Sequence, residues 1–168
     1  QFNPCVIEYS VKNNLFIVGT YELVEPDTEL ASRYTDLQER NHRVGSLELF
    51  DPIQSHFVTV FECQFGGVFD LRVSQWPMIP TESDLLVVAH ANGIVALYQL
   101  IKNKISLLYH WKTQSSMLTT VQDCYLDGRN YSIYGGGETG ILSRINCELS
   151  KDDLPLNAPV FDKSQVIE

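Results

Sequence analysis

An all-β protein built from similar four-stranded units is the fold class the sequence predicts. Two observations carry that prediction. Three segments that open on glycine recur at a nearly constant period: Gly45-Ser-Leu-Glu-Leu-Phe-Asp51, Gly93-Ile-Val-Ala-Leu-Tyr-Gln99 and Gly140-Ile-Leu-Ser-Arg-Ile-Asn146, 48 and then 47 residues apart. Each also has an apolar, strand-like partner just upstream, at Leu15–Leu23, Leu85–Ala91 and Tyr131–Gly135.

Stacked, the three segments agree column by column. The third column reads Leu47, Val95, Leu142; the sixth reads Phe50, Tyr98, Ile145; the seventh closes each segment with a polar group, Asp51, Gln99, Asn146. One column breaks the pattern, because Leu49 and Leu97 face Arg144. The second and third partners reach their glycines through short turns, His90-Ala-Asn-Gly93 and Gly136-Gly-Glu-Thr-Gly140. Asn-Gly between two apolar runs is a strong hairpin signal, since that turn needs positive φ. After the first two hairpins come further β-rich runs, His56–Cys63 and Lys104–Lys112, and then Val68–Trp76 and Met117–Leu126. The unit is therefore four strands in about 47 residues, the period of a β-propeller blade of the WD-repeat kind. The closings Phe-Asp, Tyr-Gln and Ile-Asn read as worn versions of the Trp-Asp dipeptide.

The chain holds about three such units, and a propeller typically has 4 to 8. The expected architecture is a partial propeller over residues 1–149, an open arc. Residues 150–168 form an acidic linker, interrupted by Pro155 and Pro159, and Phe161–Glu168 begins a next blade. The start at Gln1 and the stop at Ile167-Glu168 point to a piece of a longer protein. An open arc leaves two stacking faces uncovered, which predicts aggregation or marginal stability. The first unit carries an inserted loop, Val24–Val44, rich in charge of both signs. Within it Asp27–Arg40 has Leu30, Tyr34 and Leu37 at helical spacing, enough for a short surface helix.

Composition excludes several classes. With 168 residues, 44% of them hydrophobic, the chain can bury a core. A net charge of −9 makes it a poor ligand for phosphate backbones, so no nucleic-acid partner is expected. The longest strongly apolar run, Leu85–Ala89, is far below the roughly 20 residues of a membrane helix, so no membrane partner is expected either. Cys5, Cys63, Cys124 and Cys147 show no CxxC or zinc-ligand spacing, and each lies in or beside an apolar run. They read as small buried hydrophobes of a reducing, cytoplasmic compartment, with no metal and no cofactor.

Gly135–Gly140 matches GxGxxG literally, but a dinucleotide site needs a strand before it and a long helix after it. Its sister segments are β, so a hairpin turn is the better reading. The spacing of a nucleophile elbow is present in Gly136–Gly140, yet its centre is Glu138 rather than serine. No motif therefore requires catalysis. Among the histidines, His42 lies in the insertion, His56 at a strand start and His110 beside Trp111. His90, at the turn before Gly93, has the ordinary pKa of a general base. Asp70 is an acid among the apolar Val68, Phe69 and Leu71. Trp76 and Trp111 read as core.

Phe16-Ile-Val-Gly-Thr-Tyr-Glu-Leu23, a long charged insertion and then Val44-Gly-Ser-Leu-Glu-Leu-Phe50 together resemble the opening blade of the diphthine methylesterase family, WD-repeat proteins of diphthamide synthesis. Gly67-Val-Phe-Asp-Leu-Arg-Val-Ser-Gln-Trp76 and Leu85–Leu100 support it, and the resemblance covers roughly residues 5–147. The family's acidic-aromatic lead-in and its later blades are not present. The resemblance implies a hydrolase whose protein substrate is the methylated diphthine of translation elongation factor 2. As catalytic candidates the sequence offers His90 and Asp70, both expected to border the channel. The alternative expectation is a non-catalytic WD-repeat scaffold for protein–protein interaction.

Overall fold

A computed structural model describes residues 3–24, 42–74, 82–127, 130–149 and 161–167. These form thirteen strands and no helix. The strands are β1 Asn3–Ser10, β2 Leu15–Val24, β3 His42–Val44, β4 Ser46–Asp51, β5 His56–Glu62, β6 Val68–Val73, β7 Ser83–His90, β8 Ile94–Ile101, β9 Lys104–Lys112, β10 Leu118–Asp127, β11 Asn130–Gly137, β12 Leu142–Leu149 and β13 Phe161–Ile167. They pair antiparallel in three sheets of order β1-β2-β4-β5, β6-β7-β8-β9 and β10-β11-β12-β13, with short β3 added to β2. Three similar four-strand sheets, stacked face to face, are the coarse fold expected.

Two apolar layers hold the stack together. Leu15, Ile17, Leu47 and Leu49 of the first sheet, with Cys63 just after it, pack against Val68, Leu71, Leu86, Val88, Ala96, Tyr98 and Leu100 of the second. Leu85, Val87, Ala89, Val95, Leu97 and Trp111 on the second sheet's other face pack against Leu118, Val121, Tyr131, Ile133, Ile145 and Cys147 of the third. Strand β7 is buried at every position. A strand covered on both faces has no polar side to present, hence its continuous Leu-Leu-Val-Val-Ala run. Trp111 is core, as expected; Trp76 lies outside the described residues, as do the predicted helix 27–40 and the linker 151–159.

The sequence repeat and the sheets are out of phase by one strand. Val68–Val73, the last strand of the first sequence unit, opens the second sheet, and Leu118–Asp127 opens the third. The opening strands β1, β6 and β10 are consecutive neighbours. Phe161–Ile167, expected to begin a further unit, instead pairs with β12 and supplies the third sheet's fourth strand.

The short hairpins share one turn. Gly93 N–H donates to His90 O at 3.1 Å, and Gly140 N–H donates to Gly137 O at 3.1 Å. Both glycines have positive φ, +74° and +79°, while Asn92 does not. The Asn-Gly pair thus closes a four-residue turn whose last residue alone is left-handed, rather than a two-residue loop with both residues at positive φ. In the first sheet the insertion replaces this turn, and Gly45 meets a different constraint. A Cβ there would lie 2.1 Å from Thr20 O and 2.8 Å from the Gly67 Cα, so only glycine lets the two backbones approach. Gly135–Gly137 end β11 and precede a hairpin, in agreement with the turn reading of GxGxxG.

The cysteines are all free. Cys63 and Cys147 are buried, and burial pushes both thiols up to about 12. Cys5 and Cys124 are exposed, which corrects the expectation of four buried ones. Among the described residues no helix is long and apolar enough to cross a membrane.

Candidate functional site

The two sequence-chosen residues sit on adjacent strands, β6 and β7, yet point to opposite faces of the second sheet. Val68 is registered with His90, a bulge follows, and Asp70 is registered with Ala89. Ala89 belongs to the layer against the third sheet, whereas Val88 and Tyr98, which share the face of His90, belong to the layer against the first. A sheet therefore separates the two side chains, and they form no acid–base pair.

His90 is fully buried. Its Nδ1 lies 3.2 Å from Gly66 O and its Nε2 lies 3.0 Å from the Tyr98 hydroxyl. Phe65 packs edge-on against the ring at 5.6 Å. Burial lowers its pKa from 6.5 to about 4, against the opposing pull of the Gly66 and Gly67 backbone. The imidazole is neutral, engaged at both nitrogens and closed to solvent. It anchors the loop 63–67 over the end of β7, where Ala91 N–H also donates to Gly67 O at 2.8 Å.

Asp70 is part of a polar ladder along the opening strands. One carboxylate oxygen accepts from Val121 N–H and from the Thr120 hydroxyl, both at 3.0 Å, tying β6 to β10. The other accepts from Arg72 at 2.9 Å and from Leu71 N–H at 3.0 Å. The same Arg72 nitrogen reaches Glu8 at 3.0 Å, tying β6 to β1. Glu8, Arg72 and Asp70 thus connect all three sheets across their opening strands. In this ladder Asp70 is an acceptor saturated by structural donors. Among the described residues no group of three or more His, Cys, Asp or Glu could hold a metal ion.

The residues that sequence reasoning passed over lie on the two end faces of the stack. On the first sheet, Ile7, Val18, Glu48 and Val60 form one cross-strand row, and Tyr9, Phe16, Phe50 and Phe57 form the next. Ile7 and Val60 are 60% and 59% exposed. The rings pair at 5.0 Å (Tyr9–Phe16) and 5.3 Å (Phe50–Phe57). Glu48 is nearly buried in the middle of this apolar field, accepting 3.0 Å from the Ser46 hydroxyl, which lies 2.8 Å from that of Thr20. The third sheet's end face is polar. Gln122, Tyr134, Arg144 and Ile167 make one row, and Cys124, Ser132, Asn146 and Gln165 make the next; Ser132, Arg144, Asn146 and Gln165, with Asn130 and Glu148, line a concavity of about 310 Å³. Arg144 stacks over Tyr134 at 5.7 Å, and its Nε is buried without a partner.

The broken column is now explained. Leu49 and Leu97 each face the next sheet, in the first and second layers respectively. Arg144 occupies the same column of the third sheet, opposite in alternation to the buried Ile145 and Cys147, and its face has no next sheet among the described residues. No protein-family model matches the chain, and no curated protein matches it.

Proposed function

We propose that the chain is part of a WD-repeat β-propeller of the diphthine methylesterase kind, a hydrolase that removes a methyl ester from methylated diphthine on translation elongation factor 2. The observation that carries this reading is Gly19-Thr-Tyr-Glu-Leu23 followed by a long charged insertion and Val44–Phe50. These residues work together at the junction of two sheets, which supports treating them as one motif. A Cβ on Gly19 would lie 2.4 Å from a Val68 methyl. Thr20 accepts the Ser46 N–H at 2.9 Å, and Tyr21 stacks on Phe69 at 4.9 Å.

The reaction breaks the acyl–oxygen bond of the ester. Water adds to the carbonyl carbon, the oxyanion collapses, methanol leaves, and a carboxylate and a proton remain. Neither His90 nor Asp70 is placed to activate that water, so the activating group of this reading lies elsewhere. The burial of both residues in packing roles favours the second reading, a non-catalytic scaffold in which the stack presents its rims to protein partners. The deciding experiment incubates the folded protein, in its full open reading frame, with methylated elongation factor 2. Mass spectrometry then follows the methyl ester. Loss of one methyl supports the hydrolase; an unchanged mass with the protein folded supports the scaffold.

A further inference from the structure

We propose that His90 is a proton-operated latch. Its imidazole holds the loop 63–67 on the rim of the second sheet, and the loop holds β3, the stem on which the inserted segment returns to the first sheet. Protonating the ring releases loop and stem together while the sheets stay paired. The latch is independent of any esterase activity.

The loop is bonded on both sides. Toward the first sheet, Gly67 N–H donates to Arg43 O at 2.7 Å and Cys63 N–H donates to Gly45 O at 2.9 Å. Toward the second, Ala91 N–H donates to Gly67 O at 2.8 Å, and the His90 ring holds Gly66 O. The fit leaves no slack at Gly66. Its φ is +86°, and a Cβ there would lie 2.6 Å from Arg43 O. Phe65 covers the histidine, its ring 5.6 Å from His90 and 4.6 Å from the exposed His110 on β9. Loop and stem thus move as one, and His90 is the side chain that ties them to the second sheet.

The hydrogen-bond pattern makes that tie depend on the charge of the ring. Gly66 O can only accept, so Nδ1 carries the proton and Nε2 accepts the Tyr98 O–H. Tyr98 is bonded in turn to the Cys63 thiol. A second proton, taken from solvent, goes on Nε2 and makes it a donor. The Tyr98 hydroxyl must then turn its own proton toward the Cys63 sulfur, a weak acceptor. The titratable groups around the ring are Tyr98, Cys63 and, beyond Phe65, His110. Among the described residues no carboxylate bears on it. A buried cation without a partner is costly, so the charged ring leaves its site and the loop goes with it. In the open form the imidazole is hydrated and regains its ordinary value of 6.5, against about 4 when closed. Each pH unit between those values favours the open form about tenfold.

The test is native-state hydrogen exchange of the folded protein, in its full open reading frame, from pH 7 down to pH 4. Rates are corrected for intrinsic exchange, and the His90 ring is titrated in parallel by NMR. The Gly67 and Ala91 amides should exchange faster than the β7 amides of Leu86–Val88. Their opening should rise about tenfold per pH unit below 6.5 and ignore about 1 M urea, the mark of a local event. His90→Phe keeps a ring against Phe65 but has no proton to take, so opening at Gly67 should become independent of pH. Gly66→Ala strains the loop from its far side. By linkage it should move the His90 titration from about 4 toward 6.5. That variant decides the matter should His90→Phe fail to fold, as judged by circular dichroism. Exchange at Gly67 that tracks β7 in rate and urea dependence overturns the proposal. So does a His90 titration unmoved by Gly66→Ala, or a pH-dependent opening that survives His90→Phe.

Discussion

The middle sheet and the sheets that flank it are built from the same repeat, but they differ in what their strands expose. β7 and β8 are buried almost throughout, because each of their faces meets a neighbour. β12 alternates, burying Ser143, Ile145 and Cys147 against the second sheet and turning Leu142, Arg144 and Glu148 outward. β5 is exposed or half-exposed at every residue. The difference teaches that a sheet of this kind records in its strands which of its faces the other described sheets cover. A continuous apolar run marks a strand covered on both faces, whereas the alternation of β12 marks a strand covered on one by the described sheets.

That contrast is open to direct test. The largest effect is expected in the middle sheet. Leu97→Ala removes a fully buried side chain between the second and third sheets and should cost about 2–5 kcal/mol in urea unfolding. A cost below about 1 kcal/mol would show the layer to be loosely packed.

Next comes the buried histidine. The folded-state pKa of about 4 lies below the ordinary 6.5, so the unfolded chain takes up a proton first as the medium is acidified. Stability is fully present above pH 6.5 and is lost as the pH falls toward 4, by about 3 kcal/mol from this group. Unfolding titrations across that window check the slope, and His90→Asn should flatten it.

Asp70→Ala should cost about 1–3 kcal/mol, because it leaves the buried Val121 N–H without its acceptor. Hydrogen exchange at Val121 should accelerate in the variant; unchanged protection would remove Asp70 from the link between the second and third sheets. Glu8→Gln touches only the half-exposed end of the ladder and should cost under about 1 kcal/mol by thermal melt. The smallest effect belongs to the end face. Val60→Thr should leave the stability of the monomer within about 0.5 kcal/mol of wild type. A large loss there would mean that the first sheet's outer face is already covered.

Much of this architecture was legible in the residues. The 47–48 residue recurrence located the β2–β4, β7–β8 and β11–β12 pairs, and the runs between them supplied β5, β6, β9 and β10. β1 escaped notice because Asn3–Ser10 has no glycine-led copy to align with, and only pairing to β2 makes it a strand. β13 was assigned to a following unit because the intervening prolines look like a boundary; in space the chain returns to the free edge of β12. The site was least legible. His90 beside a turn reads as accessible from its local neighbours, and Phe65, Gly66 and Tyr98, which enclose it, lie 25, 24 and 8 residues away.

By itself the sequence determined the repeat, the strand type and the hairpin glycines, because those depend on local alternation and backbone sterics. Only the tertiary structure decided the one-strand offset between repeat and sheet, the opposite faces of His90 and Asp70, and the meaning of Arg144 in a column of leucines. Each of these depends on which sheet lies against which, a relation between segments tens of residues apart that no local pattern encodes.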